Sequence, residues 1–284
     1  MPPVSIVTAG VSPFPCAGRE RQLKEPSHYL TSARTRCPLV HNITNYVAMN
    51  TMANVLLAVG ASPAMVHARE EVAEFAAISD ALTVNIGTAD TAWYAAMEDA
   101  VTVMARADRP WVLDPVGVGA TRFRQDGCAR LLALRPTVIR GNASEIMTLA
   151  GLGGAARGVD SGDEVDAAEA AARELAVRTG GVVAVSGPVD FVTDGKAAFR
   201  VGNGVPVMAQ VTTMGCSLNG VIAAFCVGQP ALEATVAALA AYGVAGEQAA
   251  SNSSGPGSFF PAFLDALTAL TPEDLDAQAR VTPA

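Results

Sequence analysis

Basic residues are missing from a long part of this chain: between Val201 and Ala279 there is no lysine and no arginine. An anion held by that region needs backbone N–H groups, a metal ion, or cations brought in by other segments of the fold. Charge is sparse throughout, at 16% of residues, and its balance is acidic: 27 carboxylates against 19 Lys and Arg, a formal −8. Such a balance argues against a nucleic-acid partner, which would require a basic face. Histidine is scarce (His28, His41 and His67), and the five cysteines (Cys16, Cys37, Cys128, Cys216 and Cys226) show no C-x-x-C spacing. That scatter argues against a zinc site and a disulfide framework, and fits reduced thiols in a cytoplasmic protein. No apolar run approaches the roughly 18 residues of a membrane span. The start, "MPPVSIVTAGVSPFPCAGRER", lacks the basic-then-apolar order of a secretory leader.

Apolar residues, by contrast, make up 50% of the 284 positions, enough to bury a sizeable core. A Pro- and Gly-containing arm is expected over residues 1–26, with one packed domain over 27–284. Short β-like runs alternate with helical patterns. "CPLVHNIT", "SPAMV", "ALTVNIG", "PWVLDPVGVG", "TVIRG" and "GVVAVSG" read as strands. "NYVAMNTMANVLLAVG" is helical up to Gly60, a natural stop. "EEVAEFAAIS", "RQDGCARLLALR", "NASEIMTLAG", "DEVDAAEAAARELAVRTG", the stretch near 231–250 and "PGSFFPAFLDALTAL" are further helices. "DFVTDGKAAFRV" is a hairpin marked by Asp194-Gly195. This alternation predicts an α/β fold with a mainly parallel sheet covered by helices on both faces.

Ligands of such sheets sit beyond the carboxyl ends of the strands. Asn42 and Asn45, Met65, Asp114, Arg140 and Ser186 all fall there. In "LDPVGVGA", Asp114 either coordinates a Mg²⁺-bound water or anchors a turn, since Asp before Pro is a common turn former. In "IRGNASE", Asn142 and Glu145 have capping-box spacing, Arg140 is a fixed cation suited to phosphate oxygens, and Glu145 can also serve a metal. No G-x-x-x-x-G-K-[ST] is present, so a P-loop is excluded. "GLGGAARGVD" does not directly follow a strand and reads as a surface loop rather than a dinucleotide site. In "TTMGCSLNGVIAAF" a Gly-Cys-Ser turn opens a helix. Its unpaired N–H groups can hold an anion, and the same field would lower the pKa of Cys216; the alternative is a cap with a buried thiol.

Taken in order, "CPLVHNITNYVAMNTMANVLLAVGASPAMVHAREEVAEFAAIS", "VNIGT", "WVLDPVGVGA", "IRGNASEIMTLAG", "GVDSGD", "VSGPVDFVTDG", "MGCSLNGVIAAF" and "SSGPGSFFPAFLDAL" resemble the hydroxyethylthiazole kinases, a ribokinase-like family of thiamine biosynthesis and salvage. The resemblance implies a three-layer α/β/α sandwich. It implies transfer of a phosphoryl group from Mg-ATP to the primary alcohol of 4-methyl-5-(2-hydroxyethyl)thiazole, and homotrimers with pockets between subunits. By position, it puts Met65, Asn42 and Asn45 at the thiazole, Arg140 and Ser186 at ATP, and Asp114 and Glu145 at Mg²⁺. Cys216 takes the place of an aspartate general base, with Thr213, Met214 and Gly215 as the anion hole.

Departures from the family pattern lie at the phosphate end. Thr213-Met214 stand where the family usually has Gly-Thr. Pro188 stands where relatives commonly carry glutamate, and Gln210 where a basic residue is frequent. Threonine is poor at the positive φ that the first glycine supplies. These changes leave room for reduced activity, for another heteroaromatic alcohol such as a hydroxymethylpyrimidine, or for a non-catalytic thiazole-binding protein.

Overall fold

The computed structural model describes residues 24–152 and 161–284, with the side chains of 161–164 excepted. Most of the expected arm, the greater part of "GLGGAARGVD" and part of "GVDSGD" lie outside the described residues.

The chain enters through α1 (Pro26–Arg36), β1 (Leu39–Ile43), α2 (Met49–Val59), β2 (Ser62–Ala64), α3 (Val72–Ile78), β3 (Ala81–Asn85) and α4 (Thr91–Arg106). It continues through β4 (Trp111–Asp114), α5 (Arg122–Ala133), β5 (Val138–Asn142), α6 (Ala143–Ala150), α7 (Ser161–Thr179) and β6 (Val182–Ser186). After the hairpin of β7 (Asp190–Thr193) and β8 (Ala198–Val201) come α8 (Met214–Cys226), α9 (Ala231–Ser251), α10 (Pro256–Ala269), α11 (Pro272–Gln278) and β9 (Val281–Pro283). Helices α1, α4 and α11 and strand β9 are additions to the sequence-based expectation.

The strands form one sheet in the order β2-β1-β3-β4-β5-β6-β7-β8-β9. Pairing is parallel from β2 to β6 and antiparallel from β6 to β9. Strands β3 and β4 are buried at every position, as continuous apolar runs covered on both faces require. One core layer joins the sheet to α1, α2, α8, α9 and α10; the other joins it to α4, α5, α6 and α7. The result is the expected three-layer sandwich.

Local chemistry explains the ends of several elements. Gly60 stops α2 at φ +96°, a conformation glycine adopts freely. Asn142 and Glu145 form the complete capping box at α6. Helix α8 is buried from Ser217 to Cys226, which is why it is apolar all round rather than striped. It lies against the sheet with its first turn at the carboxyl ends of the strands. No helix among the described residues is long and apolar enough to cross a membrane.

Candidate active site

Three strand ends and the first turn of α8 meet at one place. Asp114 closes β4 and is 4% exposed. Its Oδ2 accepts from Asn85 Nδ2 at 2.5 Å and from Asn219 Nδ2 at 2.8 Å. Two amides thus fix one carboxylate oxygen and leave Oδ1 unclaimed. Burial, with Glu145 adding to it, pushes this carboxyl up to about 6, against the pull of Arg140 and the two amides.

Cys216 sits at the third residue of α8. Its Sγ accepts from Asn45 Nδ2 and Asn85 Nδ2, each at 3.4 Å. A single amide, Asn85 Nδ2, therefore reaches both the thiol and Asp114. The expected lowering of the thiol pKa is corrected here: burial, and then the Asp114 carboxylate, push it up to about 11. The amides and Arg140 pull the other way but do not win. Desolvation of a thiolate outweighs the helix end, so the resting group at neutral pH is the thiol.

The start of α8 has no side-chain cap, and its first backbone bond runs from Ser217 N–H to Thr213 O at 2.9 Å. Among the described residues, the N–H groups of Met214, Gly215 and Cys216 have no acceptor. Arg140 on β5 stands beside them. Its Nε donates to Ser186 Oγ at 2.7 Å, and a Cβ placed on Gly215 would lie 2.8 Å from Nη1. The glycine is what lets the guanidinium approach this helix end. Helix end and guanidinium together make an anion cradle in a segment that has no cation of its own.

The sequence expectation is altered at four positions. Asn42 is 1% exposed; its Nδ2 donates to Val40 O and Ala64 O, and its Oδ1 accepts from Thr83 Oγ1. Asn45 spends its amide on Asn85 and Cys216 and its Oδ1 on Ala48 N–H. Both asparagines brace strand ends with their amide groups, which leaves each side-chain oxygen one lone pair. Met214 is 5% exposed and lies in the core near Tyr242, so only its backbone can belong to the cradle. Glu145 accepts from Gly117 N–H with Oε1 and from Asn142 N–H with Oε2, both at 2.9 Å. It ties the loop after β4 to the start of α6 and keeps only its remaining lone pairs for a ligand.

Met65 follows β2 and is half-buried. Thr213 occupies the left-handed region at φ 69°. Near Arg140 a carboxylate is present in spite of Pro188. Asp190 accepts from Gly187 N–H at 3.0 Å, and burial raises it to about 6 while Arg140 counteracts.

Sequence reading missed Asn85, Asn219 and Arg124. Arg124 donates to Ile86 O, Val116 O and Gly87 O, joining the loops after β3 and β4. The signals available were a polar residue ending an apolar strand at Asn85 and one inside a buried apolar helix at Asn219.

Residues 30–273 match the model of the hydroxyethylthiazole kinase family. A hydroxyethylthiazole kinase of Cereibacter sphaeroides is 60% identical over 256 residues, covering 90% of this chain and 98% of the relative. One of Rhizobium leguminosarum bv. trifolii is 57% identical over 261 residues, covering 91% and 98%. The solved structure of a hydroxyethylthiazole kinase protein from Pyrococcus horikoshii superposes with a TM-score of 0.85 at 39% identity, over 91% of this chain and 98% of that one. A pyridoxal kinase from Staphylococcus aureus shares the fold, at TM-score 0.61 and 16% identity over 87% and 100%. With the match spanning most of the chain and the anion cradle at the carboxyl ends of the parallel strands, this kinase belongs to the hydroxyethylthiazole kinase family.

Proposed function

We propose that this enzyme transfers the γ-phosphoryl group of ATP to the primary alcohol of 4-methyl-5-(2-hydroxyethyl)thiazole, in the cytoplasm, as a step of thiamine biosynthesis or salvage. The observation that carries the assignment of the site is Arg140 seated against Gly215, beside three N–H groups without acceptors among the described residues. Phosphoryl transfer demands positioning and neutralisation of charge more than covalent chemistry. Arg140, oriented by Ser186, and the N–H groups of residues 214–216 supply the positive field for the phosphate oxygens. Cys216 Sγ is the acceptor for the alcohol proton. Burial disfavours the thiolate in the resting protein, so the thiol's own proton must first pass to solvent before Sγ can take the alcohol's. Met65 lines the thiazole end.

Mg²⁺ fits the donor set. Asp114 Oδ1 accepts no hydrogen bond among the described residues, and the neighbouring Glu145 carboxylate raises the pKa of Asp114. One or two carboxylates, with phosphate oxygens and waters completing the shell, is how Mg²⁺ is commonly held. Asp114 would hold the ion with Glu145 alongside, and its chemistry is neutralisation of phosphate charge.

Tyr46 and Val47, 63% and 61% exposed, follow Asn45 directly and support a homotrimer whose subunits meet at the site. The burial of Met214 keeps its side chain out of the cradle and supports the thiazole alcohol over another heteroaromatic alcohol. Residues 27–284 form one kinase domain in this reading, with a single sheet running through it.

A coupled assay of ADP release with the thiazole alcohol tests the function. Turnover above the alcohol-free background is expected; its absence from folded protein at saturating Mg²⁺ would sink the proposal. Gly215→Ala tests the cradle. The new methyl must displace the end of the Arg140 side chain, so kcat should fall on the order of 10–100-fold with the melting temperature nearly unchanged. A kcat within twofold of the parent would show that Arg140 and α8 do not act together.

A further inference from the structure

Thr213 is held in a conformation that its own side chain opposes. At φ 69° and ψ 1° it is a β-branched residue in the left-handed region, a state that persists only where the surroundings enforce it. Its own hydroxyl contributes only a contact with the preceding carbonyl, Thr212 O, at 2.5 Å. The enforcing groups lie elsewhere. Thr213 O accepts from Ser217 N–H at 2.9 Å and lies 3.0 Å from Ser217 Oγ. Met214 O lies 3.1 Å from Ser217 Oγ and 2.9 Å from Tyr242 Oη. The two hydroxyls are 2.8 Å apart.

Each hydroxyl has one proton to give, so the pair acts as a relay: Tyr242 donates to Met214 O, and Ser217 donates to Thr213 O or to Tyr242. Tyr242 comes from α9, is 2% exposed and packs its ring on Phe263 with centroids 4.7 Å apart. It can therefore serve as a fixed post against which the turn is braced. A carbonyl that is held also fixes the N–H of the next residue, since the two share one planar peptide. Bracing Thr213 O and Met214 O thus sets the direction of the N–H groups of Met214 and Gly215.

We propose that Tyr242, acting with Ser217, is a positioning residue for phosphoryl transfer: it holds the Thr213–Met214–Gly215 backbone in its left-handed turn so that the N–H groups at the start of α8 stay aimed at the transferring phosphate. The inference rests on the reading of that helix start as the phosphate cradle. It explains how the chain keeps the turn without the glycine that would adopt it freely, through two buried hydroxyls beneath the turn.

The test is a cycle of four proteins: the parent, Tyr242→Phe, Thr213→Gly and the double variant. Tyr242→Phe should lower kcat about tenfold while the KM for the thiazole alcohol stays within twofold. In the Thr213→Gly background the same change should cost no more than about twofold, because glycine no longer needs the brace. An equal loss in both backgrounds overturns the proposal, as does a Tyr242→Phe kcat within twofold of the parent. Urea unfolding gives a readout independent of activity: the drop in midpoint caused by Tyr242→Phe should shrink by at least half in the Thr213→Gly background, and additive shifts overturn the brace. If Tyr242→Phe does not fold, Ser217→Ala probes the same relay, with a severalfold loss of kcat that Thr213→Gly relieves; an unrelieved loss counts against it. Gly215→Ala separates the two levels. A large loss there beside an unaffected Tyr242→Phe removes only the brace, whereas no loss in either removes the cradle and the brace together.

Discussion

Arg140→Met is expected to lower kcat/KM for ATP by about 10³-fold, equivalent to roughly 4 kcal/mol of transition-state stabilisation. The size follows from scarcity. The long segment that contributes α8 and α9 has no lysine or arginine from Val201 to Ala279, so the positive field of the cradle depends on β5. Arg140 is held with its Nε on Ser186 Oγ, which turns the remaining guanidinium nitrogens toward Gly215. Charge in that orientation need not reorganise when charge builds on the phosphate oxygens. Arg140→Lys keeps the charge but loses the planar fork and the anchored geometry, and should fall between, at about 10–100-fold. Ser186→Ala should cost less than either. Steady-state kinetics with ATP varied at saturating thiazole alcohol measure all three. An Arg140→Met enzyme within threefold of the parent would mean that the guanidinium serves Asp114 and Asp190 rather than the nucleotide.

What could be seen in the sequence was contiguous. The capping box at Asn142 and Glu145, the stop at Gly60 and the Asp194-Gly195 turn each lie within a few residues, and each is present in the fold. Thr213 was legible through the resemblance: it stands where the family usually has a glycine, and it has φ 69°. The rest depends on partners far apart in the chain. Asn219 reaches Asp114 across 105 positions, and Asn45 reaches Cys216 across 171. The setting of each asparagine, one in an apolar helix and one beyond a strand end, marks it without naming its partner. Met214 shows how a single letter misleads. A bulky side chain beside a phosphate turn suggests obstruction, yet the first turn of α8 directs it into the core beside Tyr242. Cys216 fails in a similar way. The helix end is a local feature and was read, while burial and the Asp114 carboxylate are set by the assembled fold and reverse the direction of the shift.

Asp114→Asn should separate stability from activity in opposite directions. In the folded protein the Asp114 carboxyl is raised to about 6 from an ordinary 3.8, chiefly by burial. The folded state therefore binds this proton more tightly than the unfolded chain does. The associated stability is fully present below about pH 4 and is lost as pH rises through about 6, so at pH 8 the ionised group opposes folding by roughly 2–3 kcal/mol at most. Asparagine keeps an oxygen where Asn85 and Asn219 donate and removes the charge. With a chelator present, the variant should unfold at higher urea than the parent at pH 8, and the gap should close near pH 4. A gain of equal size at both values would locate the effect in packing rather than in charge. Added Mg²⁺ should raise the parent's midpoint through preferential binding to the folded state and leave the variant's almost unmoved. Turnover should fall about 10²–10³-fold in the variant, because the position left open by the two amides then carries an NH2 group, which has no negative charge and no lone pair to offer a cation. Two asparagines that hold one oxygen of a buried carboxylate while leaving the other open do little for folding. They keep an anion at the strand end that the apolar interior would otherwise neutralise, and the stability lost at pH 8 is the measurable trace of that arrangement.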